Sequence, residues 1–346
     1  MSLSLNIVNP IEIEEWDGWM VSNPQATIFH SANWAKVLFE TYGFRPMYFC
    51  SGQPAAPAVV LPFMEVSSRI TGTRGVSLPF SDQCPLLMPQ GTDSREIREE
   101  ILNYARKAGW LFAEFRDDTM FDGSEPAACR FYSHEIELGI DFSEYLKSIK
   151  HATRSSLKKA QKEGVKVAVS TSPDAMETFY KLNCLTRKRH GLPPQPIEFF
   201  RKIQEHVVSN GLGVIMTAAL QSHPAAAAIC LHFGGNAIMK YAAHDLAYQS
   251  VRPSNLLVWE AIEWHSRAGM KVLSFGRSDM NNNGLRRFKL GWNLTERVLQ
   301  YYKFDFRANR VVADPHPILD WSPKVLAMMP VSVLKVLGRL LYKHMG

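Results

Sequence analysis

The chain has 346 residues, enough for two domains, and its 46% hydrophobic and 11% aromatic content supplies two buried cores and excludes a disordered or fibrous protein. Its formal charge of +6 and pI near 9.0 fit an anionic substrate, a nucleic acid or an acidic membrane face without choosing among them. Cys50, Cys84, Cys129, Cys184 and Cys230 lie far apart, which excludes a CxxC site and a disulfide framework, and the 11 histidines show no metal-ligand spacing, so no metal is expected.

The opening MSLSLNIVNPIEIEEW has no basic segment followed by an apolar core, and no stretch reaches the roughly 18 apolar residues of a spanning helix. The expectation is a cytoplasmic protein with reduced core thiols.

Asp17 to Ser22 and Asn33 to Tyr42 read as short helices around FHSANW. RPMYFC, APAVVLPFMEV and TRGVSLPF read as strands separated by Gly, Pro and Ser turns. Asp93 to Ala108 reads as a helix closed by Gly109, followed by the strand WLFAEFR. From Val165 a similar order returns. Helices around Met176 to Arg189 and Ile197 to Val208 flank the breaker GLPPQP, and GVIMTAAL, AAAAICLHF and NAIMKYAAH follow as strands. A helix opened by Pro253, with Ser254 as its N-cap and Gly269 at its end, then leads into the buried strand KVLSFG. RKAGWLFAEFR and SRAGMKVLSFG align with Ala108 over Ala268, Gly109 over Gly269 and Phe115 over Phe275, an offset of 160 residues. A repeat of that length is a duplicated domain rather than a solenoid unit. Hairpins, a helix and a strand in each unit give an α/β (α+β) arrangement with mixed sheets, in which ligands bind beyond strand ends where the chain splits.

Between the halves, EYLKSIKHATRSSLKKAQKEG reads as one helix with Leu146, Ile149, Thr153, Leu157 and Ala160 on one side. Lys147, Lys150, Arg154 and Lys158 share the other, where like charges repel and either an anion or water relieves them. After Pro330 a second basic amphipathic helix places Lys335, Arg339 and Lys343 at four-residue steps beside Leu334, Leu337 and Leu341. Such a helix docks on the protein or lies on an anionic membrane, and Gly338 weakens it in isolation. The expected division is 1–145 and 165–310 as the two domains, 146–164 as the linking basic helix and 311–346 as the tail.

The chain lacks a GxSxG elbow, a P-loop and HExxH, and GLGVIM lacks the third glycine of a dinucleotide fingerprint. What remains is a polar loop after KVLSFG carrying Arg277, Ser278, Asp279, Arg286, Arg287 and Lys289, with Asn281 to Asn283 as a flexible turn. Arg252 precedes a helix N-terminus, a seat for phosphate or carboxylate, and Asn255 is a further substrate-binding candidate. Fixed cations without a nucleophile suit a transfer in which the substrates bring the reacting groups and the protein stabilises an oxyanion, as in acyl transfer to an amine.

FHSANWAKVLFETYG, HATRSSLKKAQKEGVKV, RPSNLLVWEAIEWHSRAGMKVLSFGRS and above all GLRRFKLGW resemble the FemAB family of non-ribosomal peptidyl transferases, which build peptidoglycan bridges. The acetyltransferase-like proteins of exopolysaccharide gene clusters are wider relatives. The resemblance runs over roughly residues 27 to 305 and implies tandem duplicated GNAT-like domains plus a C-terminal helical tail. It implies transfer of an aminoacyl group from charged tRNA, or of an acyl group from acyl-CoA, to an amine of a peptidoglycan or polysaccharide precursor. Lys289 matches the family's Phe-Lys lysine, which stabilises the tetrahedral oxyanion, and Tyr241 a tyrosine near the acceptor peptide. Two features depart from relatives. The helical arm of some tRNA-dependent members is missing, and QSVRPSNLL lacks the glycines of an acetyltransferase pyrophosphate loop.

The expected function is therefore an acyl- or aminoacyltransferase of the cell envelope. Lys289 is its catalytic residue, Arg277, Arg252, Tyr241, Asp82, Ser278, Asn255 and Arg154 are substrate-binding candidates, and no cofactor is tightly bound. Its partners are a nucleotide- or lipid-linked precursor, charged tRNA and, through the tail, the inner membrane face. The alternatives are an acyl-CoA-dependent exopolysaccharide acetyltransferase and a catalytically decayed binding module at the membrane.

Overall fold

In the first half, short apolar runs broken by Pro and Gly give β1 (Asn6–Val8), α1 (Trp16–Val21), α2 (Ala32–Tyr42), β2 (Arg45–Pro46), β3 (Tyr48–Gln53), β4 (Ala56–Leu61), β5 (Met64–Ser68), β6 (Gly72–Ser77), α3 (Ser94–Lys107) and β7 (Phe112–Phe115). The middle of the chain gives β8 (Cys129–Glu137), α4 (Phe142–Ser148), α5 (His151–Lys162), β9 (Lys166–Ser170), α6 (Pro173–Arg189) and α7 (Ile197–Ile203). There follow β10 (Gly213–Leu220), β11 (His223–Phe233), β12 (Asn236–His244), α8 (Pro253–Arg267), β13 (Val272–Asp279), α9 (Asn283–Leu290), β14 (Thr295–Asp305), β15 (Arg310–Val311), α10 (Pro323–Met328) and α11 (Val331–Leu341). The computed structural model describes residues 4–53, 56–313 and 322–345.

Two compact units result. The first comprises Met1–Tyr132, Val298–Leu319 and Leu341–Gly346, the second Ser133–Arg297 and Asp320–Leu340. In the first, β5 and β6 are antiparallel, and α3 carries the chain over to β7, which lies parallel to β6 through Gly75–Ala113, Val76–Glu114 and Ser77–Phe115. In the second, β9 to β12 are antiparallel, and α8 carries the chain over to β13, parallel to β12 through Asn236–Val272, Ala237–Leu273 and Ile238–Ser274. The same short parallel pair with its crossover helix stands in each unit, as the internal repeat predicts. The last strands are exchanged. β7 pairs with β14 through Tyr302–Phe115 and Phe304–Ala113, and β13 is flanked by β8.

The structure corrects several local expectations. APAVVLPFMEV is two strands, because Pro62 ends β4 in a small antiparallel sheet with β1 and β3, while β5 joins the larger one. The basic linker is two helices that break at Ile149, where the backbone turns extended and Lys150 N–H donates to Gly291 O at 3.0 Å. The polar stretch after KVLSFG is not a loop. β13 runs on to Asp279, and Asn282 caps α9 by accepting from Leu285 N–H at 3.1 Å.

Each core forces a glycine. In the first unit Trp110 stacks on Phe63 and lies so close to Gly75 that a Cβ there would fall 1.8 Å from its ring. In the second, α11 buries Leu334 and brings Gly338 onto the backbone of Pro194, where a Cβ would sit 1.9 Å from the carbonyl oxygen. The residue that weakens the isolated helix is the one that lets it dock. Cys50, Cys84, Cys184 and Cys230 are buried free thiols, and Cys129 is partly exposed. Among the described residues no helix is long and apolar enough to cross a membrane.

Two buried histidines couple stability to pH. His30 Nδ1 accepts from Thr27 N–H at 3.1 Å and its Nε2 donates to Pro85 O at 2.9 Å, while His265 Nδ1 donates to Ala261 O at 2.7 Å and its Nε2 meets no partner among the described residues. Burial pushes both imidazoles from 6.5 down to about 4. Below about pH 6.5 the unfolded chain takes up protons that these sites refuse, so stability present above that pH is lost as pH falls toward 4. Between pH 7 and pH 5.5 each contributes a loss of about 1.2 kcal/mol. Denaturant melts from pH 7.5 to 4.5 should show this decline, with a shallower slope for His265→Gln. A flat profile contradicts it.

Candidate active site

β12 and β13 pair over only three residues each before they separate, β12 running on to His244 and β13 to Asp279. A bulge helps to part them: Tyr241 faces Ile229 and Met239 faces Cys230, so Lys240 is the extra residue that bends β12. Two parallel strands that splay at their C-terminal ends open a crevice edged by backbone groups that have left the ladder. An extended ligand can pair there.

Beyond β12 the chain enters α8. The cap is Arg252 rather than Ser254, in the left-handed region at φ 58 and with no side-chain capping bond, and Pro253 opens the helix. A non-glycine residue held there is under local strain. The first turn of α8 has no side-chain cap, Arg252 is exposed beside it, and Asn255 N–H donates to Arg252 O at 3.1 Å. This arrangement can receive an anion.

Beyond β13, α9 returns Lys289 to the strand end. Lys289 is 5% exposed and its Nζ donates to Gly276 O at 2.8 Å, two residues past the last paired residue of β13. The FKLGW segment explains this placement residue by residue. Phe288 packs edge-on against Trp292, whose side chain is fully buried and whose carbonyl accepts from Tyr145 O–H at 2.6 Å. Gly291 lies against α5 with no room for a Cβ, which would fall 2.4 Å from Thr153 Oγ1. The helix end is thus clamped on α4 and α5, and the lysine between has one place to go.

Arg286, one turn earlier on α9, is engaged by a fork of two 2.8 Å bonds from Nε and Nη2 to the Glu296 carboxylate on β14. Glu296 also meets His134 Nε2 of β8 at 3.0 Å. The Arg286 bonds hold the Glu296 carboxyl below its usual range, so it is ionised and His134 carries its proton on Nε2. Burial first, and then the Lys289 charge, lower the His134 pKa below 6.5, which makes the imidazole neutral at physiological pH. Lys289, His134, Glu296 and Arg286 thus form one coupled electrostatic group. The sequence reading missed His134 and Glu296 because it missed both strands that carry them. Their signal was the alternation in CRFYSHEIE and the residues flanking FKLGW.

The remaining candidates divide. Arg277 and Ser278 lie on β13 beyond its pairing with β12; Arg277 is half-buried, and the Ser278 hydroxyl is buried with no hydrogen-bond partner among the described residues. Tyr241 lies on β12 beyond its pairing with β13, its ring among Phe179, Phe199 and Phe200, with Lys240 Nζ 5.3 Å from its centroid. Arg154 turns inward and donates to Leu146 O at 3.3 Å and Lys147 O at 2.8 Å, capping the carbonyls freed by the break after α4. Asp82 belongs to the first unit, where it is buried and its carbonyl accepts from the Tyr301 hydroxyl.

Residues 147–290 match the family model described as an acetyltransferase (GNAT) domain. Among solved structures the chain is similar to FemX, at 13% identity over 85% of this chain and 96% of that one, with a TM-score of 0.64. It is also similar to L-PGS from Bacillus licheniformis (11% identity, 95% and 99% covered, TM-score 0.56). A tandem GNAT protein from the clavulanic acid biosynthesis pathway is a third such structure (10% identity, 88% and 98% covered, TM-score 0.54). No curated protein matches the chain by sequence. At these identities the structural likeness is one of fold, and the family match lies wholly within the second unit. Residues 147–290 are therefore an acetyltransferase (GNAT) domain, within a chain that has the tandem fold of FemX-like and duplicated GNAT proteins.

Proposed function

We propose that this GNAT-type acyltransferase moves an acyl or aminoacyl group onto an amine of a cell-envelope precursor, on the cytoplasmic side of the membrane. The observation that carries the reading is the buried Lys289 ammonium, fixed at the point where β12 and β13 part. The amine nitrogen attacks the carbonyl carbon of the donor, the new C–N bond forms, and the electron pair of the C=O moves to oxygen. Lys289 stabilises that oxyanion. When the tetrahedral species collapses, the C–S bond of a thioester or the C–O bond of an aminoacyl ester breaks, and the leaving group takes the proton the amine gives up. Arg252 and the first turn of α8 hold the donor's phosphates, while Arg277, Ser278, Asn255 and Tyr241 contact the substrates. Arg286, Glu296 and His134 position α9 and through it Lys289. The GNAT domain match favours an acyl-CoA donor, and the FemX-like fold keeps aminoacyl-tRNA as the second reading. Asp82, in the loop after β6, serves as an acceptor contact or base in this reading.

A thermal-shift titration with acetyl-CoA and longer acyl-CoAs tests the donor, since a ligand at 100 times its Kd adds about 2.7 kcal/mol. A saturable rise identifies the thioester donor, and a flat response transfers the assignment to charged tRNA. With the donor in hand, Lys289→Ala should lower kcat about a hundredfold or more at near-constant KM, the usual effect of losing an oxyanion donor. Equal losses in kcat and in binding contradict the role. Glu296→Gln should lower kcat less, without changing donor affinity, and loss of affinity instead would show that the Arg286 tether is no positioning device.

A further inference from the structure

We infer that the C-terminal helices carry an outward-facing surface that binds an anionic lipid membrane. The inference is independent of the proposed reaction and goes beyond it. α11 has two apolar stripes rather than one. Leu334 and Gly338 turn inward and are used up by docking against the Pro193–Pro194 segment. Val333, Val336 and Leu340 recur at three- and four-residue steps on a second face, all exposed, with Val336 at 59%. Val325 and Met328 on the preceding α10 are exposed as well, Met328 at 85%. Large apolar side chains grouped on two neighbouring short helices and left to water mark a docking surface.

Charge decides the occupant. Between Ser322 and Gly346 the chain holds Lys324, Lys335, Arg339 and Lys343 and no Asp or Glu. Lys335 and Arg339 lie on α11 between its buried and exposed stripes; Lys335 runs its ammonium over the Tyr180 ring at 5.2 Å and stays exposed. An apolar strip whose own two helices carry cations and no acids matches the layered chemistry of an anionic bilayer, with acyl chains inside and phosphates at the rim. A second copy of this face would bring like charges together.

The test is co-sedimentation of the full chain with vesicles of phosphatidylcholine alone and with vesicles containing an equal part of phosphatidylglycerol. Binding to the anionic vesicles alone, weakened by salt, is expected. Lys335→Gln with Arg339→Gln should weaken it about thirtyfold, at about 1 kcal/mol per cation near the surface, and Val336→Asp with Leu340→Asp should abolish it. Both pairs alter exposed positions, so unchanged thermal melts show that lost binding is not lost folding. Equal binding to both vesicle types, or none to either, overturns the proposal. Self-association in solution that the aspartate pair abolishes, without vesicle binding, overturns it in favour of a contact between copies.

Discussion

A cationic side chain withdrawn from water has to be held by fixed dipoles, or it takes the surrounding structure apart. Lys289 meets that condition through the carbonyl of Gly276, and the second unit is arranged so that the bond can form. Gly276 stands at φ 64, a conformation that glycine adopts at no steric cost and that brings its carbonyl into reach. Gly291 lets the end of α9 close on Thr153, Trp292 anchors that end in the core, and the Arg286–Glu296–His134 chain ties its beginning to two strands. The cation is fixed before any substrate arrives, and preorganised charge is what stabilises a transient oxyanion.

The same chain of contacts sets the protonation of the group. Glu296 is kept ionised by Arg286, and His134 is kept neutral by burial and by the nearby Lys289 charge. The only carboxylate among these four side chains is already bound in two directions. It is committed to Arg286 and His134, which fixes the protonation of both partners.

Much of this was legible in the sequence, and the losses have physical causes. The internal repeat showed because the same punctuation recurs, Gly109 and Gly269 at φ 70 and 78 closing α3 and α8 before a buried strand. FKLGW marked Lys289 because glycine and tryptophan beside it must satisfy packing that few residues can. β8 and β14 stayed hidden because their partners lie far away in sequence and half their residues are polar. α9 stayed hidden because a run of asparagines looks like a turn until Asn282 is seen capping a helix. The cap of α8 was misplaced by two residues because Arg252 sits where side-chain preference argues against it.

The two units treat their corresponding strand ends differently. In the first unit the parallel pair β6 and β7 has the same three-residue register as β12 and β13, so it has the same kind of strand end. There, however, the chain uses its own groups to close the opening. Arg116, just past β7, donates to Leu78 O at 2.8 Å, Ser81 O at 3.3 Å and Glu114 at 2.8 Å, while the Tyr301 hydroxyl bonds to Asp82 O. Asp117 accepts from Leu86 N–H at 3.3 Å, and burial raises its pKa, as expected for a carboxyl folded into a closed loop. The cation at this strand end is spent on the loop that follows β6. At the end of β13, by contrast, a buried lysine donates to a carbonyl of the strand itself, and α8 begins at Arg252 without a side-chain capping bond. Two copies of one fold have thus diverged by what their strand ends do with a cation: in one an arginine binds the loop after β6, in the other a lysine binds the strand's own carbonyl.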